Sequence, residues 1–278
     1  MNNIFPCLWF DGKAKEAAEF YCTVFSNSKI TMASPMVVMF EIEGKKIMGL
    51  NGGPKFKINP SISIMVTSAS KEEIENIWNK LIEGGSAMMA LGKYSWSEKY
   101  GWLVDKFGMT WQLMLADVPP GAEKIVPSFL FVGEQYGKAE EAIKTYASTF
   151  PNSQVHTLQL YKAGEPQPEG KLKFGHFSLD NNLFAAMDGM GEHKFQFNEA
   201  VSLVVECDTQ KEIDNYWNKL TEGGEESMCG WLKDKFGVSW QIIPKIIGSL
   251  MSDPEKAQRV MKEVMKMKKL DIETMVNA

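Results

Sequence analysis

The side chains that most often ligate metals or shuttle protons are sparse in this chain. Three histidines, His156, His176 and His193, all lie in the second half, and none is paired at HxH or HxxxH spacing. Cys7, Cys22, Cys207 and Cys229 stand far apart without a CxxC pair, so neither a zinc knuckle nor a disulfide framework is expected, and they read as buried thiols. Of thirty basic residues only Arg259 is an arginine, which leaves no planar fork in the body of the chain for bidentate capture of a phosphate or carboxylate. What does recur is an amide. Gln112 in GMTWQL and Gln241 in GVSWQI stand at matching places, where each could orient a small neutral ligand or satisfy groups within a sheet. His176, in FGHFSL, alternates with apolar neighbours on a predicted strand; it is either a satisfied or surface imidazole or a base aimed into a pocket.

Composition removes whole classes of partner. The net charge of -5, with lysines scattered rather than striped, gives no footprint for nucleic acid. No apolar run approaches the ~20 residues of a membrane span, and MNNIFPCLWFDG lacks the blocks of a secretory signal, so a cytoplasmic protein is expected.

The elements that must position the glutamines are written twice. PCLWFDGKAKEAAEFYCTVFSNS (6–28) matches PSFLFVGEQYGKAEEAIKTYASTFPNS (127–153). SISIMVTSASKEEIENIWNKLIEGG (61–85) matches AVSLVVECDTQKEIDNYWNKLTEGG (200–224), and GWLVDKFGMTWQL (101–113) matches GWLKDKFGVSWQI (230–242). Three blocks in the same order imply a duplicated domain, 1–118 and 124–245, joined by the linker VPPGAE (118–123) and followed by an extension over 246–278. Within a half, CLWF reads as a strand, and Ala14, Ala17, Ala18, Tyr21 and Phe25 recur at helical spacing. Two strands then meet at Glu43-Gly44. Another strand leads to a helix capped by Ser70 with Glu73 in a capping box, stopped by Gly84-Gly85. The closing DKFG is a turn between two strands, with Asp as local acceptor and Gly where positive φ is needed. The rhythm is βαβββ twice per half, the last module's strands being shortened or hidden in a loop at 86–100. In the extension, Asp253 caps a helix that begins at Pro254, and Ala257, Val260, Met261, Val264 and Met265 make an apolar stripe that docks on the body or on a second subunit.

Paired βαβββ modules, the helix AAEFYCTVF and the ending DKFGMTWQL resemble the vicinal oxygen chelate superfamily of glyoxalase I, extradiol dioxygenases and bleomycin-resistance proteins. PCLWF, the WNKLIEGG segment and DPEKAQRVMKEVMKMKKLDI (253–272) resemble its PhnB-like group, often labelled 3-demethylubiquinone-9 3-methyltransferase. The resemblance implies an α+β fold of tandem βαβββ modules forming two glyoxalase-like curled, mixed sheets, with a C-terminal helical tail. It also implies a divalent metal held in the cup of a sheet by His and Glu. Aligned on the family pattern, the ligand positions fall at Pro6, Gly49, Ser61 and Gln112, and again at Pro127, Ala185, Ala200 and Gln241. None is a carboxylate, imidazole or thiol, so no metal and no other cofactor is expected. The methyl donor suggested by the label would need a Gly-rich loop after the first strand, and FDGKAKEA has one glycine.

Strand parity and the resemblance together give an expected lining of Leu8, Phe10, Ser61, Ser63 and Gln112, with Phe129, Phe131, His176, Ser202 and Gln241 in the second half. Tyr94 and Trp96, on the aromatic loop 86–100, either cover the cup as a lid or pack on the partner domain. Such a cup suits a small hydrophobic or aromatic molecule, with a homodimer possible; the alternative is a metal-dependent lyase or isomerase, or a methyltransferase.

Overall fold

The computed structural model describes residues 3–118 and 122–278, so residues 119–121 of the expected linker lie outside the described residues. Four βαβββ modules follow one another. The first comprises β1 (Ile4–Phe10), α1 (Ala14–Val24), β2 (Ser28–Ala33), β3 (Val37–Ile42) and β4 (Lys45–Asn51). The second comprises β5 (Ile62–Ser68), α2 (Lys71–Leu81), β6 (Ser86–Tyr94), β7 (Ser97–Val104) and β8 (Thr110–Leu115). The third comprises β9 (Ile125–Phe131), α3 (Ala139–Thr149), β10 (Gln154–Leu160), β11 (Leu172–Leu179) and β12 (Asn182–Asp188). The fourth comprises β13 (Val201–Cys207), α4 (Gln210–Thr221), β14 (Glu225–Glu226), β15 (Trp231–Lys233) and β16 (Ser239–Pro244). Then come α5 (Ile247–Leu250), α6 (Pro254–Val264) and α7 (Ile272–Val276). The fold is α+β, and the strands fall into two mixed sheets of eight.

Local signals explain most of these boundaries. Glu43 and Gly44 both adopt positive φ, 48° and 79°, as a two-residue hairpin between β3 and β4 demands. At the start of α2 the Ser70 hydroxyl accepts from Glu73 N at 3.1 Å, but the Glu73 carboxylate takes a hydrogen bond from Ser68, so only half of the expected capping box forms. In α4 the box is complete, between Thr209 and Glu212. Residues 86–100 correct the expectation of a loop. They form most of the β6–β7 hairpin, and three shifts in its register scramble the alternation by which a strand is recognised.

The chain divides into two compact units, Met1–Phe5 with Ser202–Ala278, and Pro6–Val201. The larger unit contains a whole sheet in the order β10-β11-β12-β9-β5-β8-β7-β6, and also the run β1-β4-β3-β2. Its complete sheet is closed in the middle by antiparallel pairing of β5 with β9, Ser63 opposite Ser128. A sheet is thus built from the second module of one sequence repeat and the first module of the next.

The smaller unit holds β14-β15-β16-β13 and the helical tail. Asp253 Oδ1 accepts from Glu255 N and Lys256 N, with Pro254 opening α6. Val260 and Val264 are buried with Leu250, Leu270 and Met275, against Cys229, Ile243 and Met267. The stripe therefore docks on the unit's own body, except Met265, which lies beyond the last turn and is 67% exposed.

Candidate ligand-binding face

Two glycines show which face of the complete sheet the helices cover. A Cβ on Gly101 would stand 2.5 Å from the Trp78 ring of α2, and one on Gly175 would stand 2.5 Å from Ile143 Cδ1 of α3. Their cross-strand partners Leu113 and Ala186 share that side, so the alternate residues project from the helix-free face. Register then orders the free face in rows. One row runs Trp102, Gln112, Met65, Val126 across β7, β8, β5 and β9, and the next runs Ser63, Ser128, Ala185, His176 across β5, β9, β12 and β11. Met65, Val126 and Ala185 pack as one apolar cluster with Met114, Phe174 and Leu183.

The polar groups on this face form a short chain. Tyr100, buried in the middle of β7, donates to Gln112 Oε1 at 2.7 Å, and Gln112 Nε2 donates to Ser63 Oγ at 2.6 Å. Burial pushes the Tyr100 phenol well above its ordinary pKa, so it remains a donor. Ser128 Oγ and Trp102 Nε1 are buried with no hydrogen-bond partner. Tyr94 and Trp96, at the tip of β6–β7, stack at 5.0 Å and both meet the Tyr100 ring. The aromatic segment, expected as a loop that either covers the cup or packs on the partner domain, is a hairpin tip coupled to Gln112 through Tyr100.

The other expected residues separate. Leu8 lies opposite Gly49, whose Cβ position is 3.1 Å from Ala14 Cβ of α1 and 3.6 Å from the Phe10 ring, so Leu8 and Phe10 are core under a helix. Phe129 and Phe131 likewise alternate with Ser128 onto the covered side, where both rings meet Phe197. Pro6, Gly49 and Pro127 share these covered faces. The reason sequence could not choose is that β1 and β9 are buried on both sides, which erases the alternation. Ser61 keeps the parity of Ser63 just before β5. In the smaller unit Gln241 Nε2 donates to Ser202 Oγ at 2.9 Å, repeating the Gln112–Ser63 bond, but Cys229 stands where Tyr100 would be. Trp102 and Ser128 escaped sequence analysis: one sat beside a turn motif, and the other faces Ser63 only once β5–β9 pairing is known.

His176 is half-buried, its ring makes no hydrogen bond among the described residues, and the exposed His156 ring lies at 6.2 Å. Burial, then the neighbouring His156, hold its pKa below the usual imidazole value, with Glu123 opposing. The unfolded chain takes up this proton near pH ~6.5 while the native state resists until a lower pH, so acidification through that window costs stability. Urea midpoints at pH 7.5 and 5.5 should fall for the wild type and fall less for His176→Gln; equal drops would show that His176 does not contribute.

Comparison with known proteins places this geometry. The sequence model of the 3-demethylubiquinone-9 3-methyltransferase family matches residues 2–114 and again 123–243. The chain belongs to that family, in two copies. The PhnB protein from Bacillus cereus is 35% identical over 40% of this chain and 98% of its own, with a TM-score of 0.38. Glyoxalase I from Zea mays is 10% identical, covers 86% of this chain and 90% of its own, and has a TM-score of 0.57, a likeness of fold. Among curated proteins none matches.

Neither group that the family and fold suggest fits the residues present. The central strands of the free face offer an amide (Gln112), two hydroxyls (Ser63, Ser128) and a methyl group (Ala185), a poor donor set for a divalent metal. Among the described residues no three His, Cys, Asp or Glu side chains come together to hold one. For a methyl-donor nucleotide, the β1–α1 connection offers a single glycine, and the first helical N–H, that of Ala14, is already taken by Asn51 Oδ1 at 2.9 Å. Among the described residues no helix is long and apolar enough to cross a membrane.

Proposed function

We propose that the helix-free face of the β5–β12 sheet binds a small, uncharged hydrophobic or aromatic molecule without a metal. The observation that carries this is the pair of buried, unpartnered groups, Trp102 Nε1 and Ser128 Oγ, on a face that also carries the apolar cluster of Met65, Met114, Val126, Phe174, Leu183 and Ala185. A buried donor left unpaired costs about 1–3 kcal/mol, a deficit that a ligand oxygen removes on binding. Trp102 Nε1 then donates to that oxygen. Gln112, clamped between Tyr100 and Ser63, cannot swing away and fixes the ring's position, while Met65 and Met114 mould to its faces.

The test uses 2-naphthol, an uncharged aromatic alcohol, in calorimetry with the full chain. Saturable binding that Trp102→Phe and Gln112→Ala each weaken about tenfold is expected, since one hydrogen bond in a dry site is worth roughly 1.4 kcal/mol. Gln241→Ala should matter less, because the Tyr100 donor is absent there. Saturable uptake of a divalent ion or of S-adenosylmethionine, with a flat 2-naphthol trace, would replace this reading with an enzymatic one.

A further inference from the structure

We propose that Met32, Met39 and Met48 form a binding site for a soft monovalent cation, copper(I), on the β2–β3–β4 face turned away from α1. The register sets the three side by side: Met32 is opposite Met39 across β2–β3, and Met39 is opposite Met48 across β3–β4. Their common side follows from their neighbours. Phe40 meets the Tyr21 ring of α1 at 6.0 Å, and Gly49 lies against Ala14, so Met39 and Met48, one residue away on each strand, project from the opposite face. Cys7 continues the row, opposite Met48 across β4–β1. Four neighbouring strands thus present one sulfur each at the same level.

The row is built by an irregularity. Ile30 pairs with Phe40, and regular pairing would set Thr31 against Met39; the ladder instead skips Thr31 and sets Met32 there. The bulge puts a thioether where a hydroxyl would stand, which is how bulges re-aim side chains. Access is graded along the row, with Met32 46% exposed, Met39 half-buried, Met48 7% and Cys7 1% exposed. An ion entering at the edge strand meets successively drier donors.

Thioethers are neutral and soft, a set that selects copper(I) over magnesium, calcium or zinc. Each methionine has three rotatable bonds, so sulfurs on adjacent strands can converge on one ion above Met39. Two charges flank the row on that face, Glu41 two residues from Met39 and Lys46 two residues from Met48; Glu41 is paired with Lys29 at 3.1 Å, and neutral thioethers bind the ion without needing a counter-charge.

The test is anaerobic titration of the full chain with copper(I) against a competing copper(I) chelator, read by native mass spectrometry. One copper per chain is expected. Met32→Leu, at the exposed edge where folding is safe, and Met39→Leu should each weaken retention at least tenfold with an unchanged melting temperature. Cys22→Ser and Cys229→Ser should leave it intact. Failure to retain copper, retention unaffected by both methionine variants, or loss only in cysteine variants, Cys7→Ser included, would each overturn the site.

Discussion

Asp105→Asn should destabilise the larger unit by about 3 kcal/mol or more, although it removes one charge and hardly changes volume. Four donors converge on this carboxylate. Oδ1 accepts from Phe107 N at 2.8 Å and Met109 N at 3.0 Å, and Oδ2 from the Tyr21 hydroxyl at 2.9 Å and Trp111 Nε1 at 2.8 Å. An amide can serve one pair with its oxygen and must turn its NH2 toward the other, leaving two buried donors unsatisfied. Each orphan costs about 1–3 kcal/mol, so losing two outweighs relief from burying a charge. That relief is real, because burial raises the Asp105 pKa despite all four bonds. The native state holds this proton more readily than the unfolded chain, and the group's contribution falls as pH rises through its raised pKa. Asp105 therefore fastens the β7–β8 turn to α1 and to the Trp111 ring. Asp234 repeats the arrangement, accepting from Phe236 N, Val238 N and Trp240 Nε1. Urea unfolding of Asp105→Asn with an unchanged midpoint would show that the turn holds without its carboxylate.

This accounts for much of what was legible in the sequence. DKFG recurs because two copies of one turn each need a carboxylate that accepts from two backbone N–H groups and a tryptophan indole, followed by a glycine, and a residue type tied to geometry leaves a trace in the letters. Helices α1 and α2 were legible for the same reason, since Ala14, Ala17, Ala18 and Tyr21, or Ile74, Ile77, Trp78 and Leu81, bury one stripe. The face of a strand is legible only when its two sides differ. Leu8, Phe10, Phe129 and Phe131 sit on strands buried on both sides, so alternation there could not say which face each side chain takes. Gln112 was visible through its recurrence, but Tyr100, which donates to it, and Trp102, opposite it, lay in a hairpin whose bulges hide it. Which modules share a sheet was also hidden: β5 could alternate identically beside β9 or beside a strand of its own half, and only the long-range register decides.

Gly85→Ala should cost about 3 kcal/mol or more, which would make the glycine pair after α2 far more than a helix stop. Gly84 has φ +72° and does the stopping. Gly85 does something else: a Cβ there would lie 2.1 Å from the Val104 carbonyl oxygen and 3.0 Å from Asp105 Cα. Both obstacles are backbone, so no rotamer change relieves the overlap. The end of α2 must lift off the end of β7, and that strains the turn which Asp105 secures. The second repeat has the same contact, with Gly224 2.2 Å from the Lys233 carbonyl oxygen. Gly108→Ala supplies the comparison, since its φ of +88° is left-handed but a Cβ there meets open space. It should cost only the conformational penalty, about 1–2 kcal/mol. Measured side by side in urea, a Gly85 variant no worse than the Gly108 variant would show that α2 docks loosely; a larger loss would make the repeated GG the joint between the helix layer and the strands that carry Gln112.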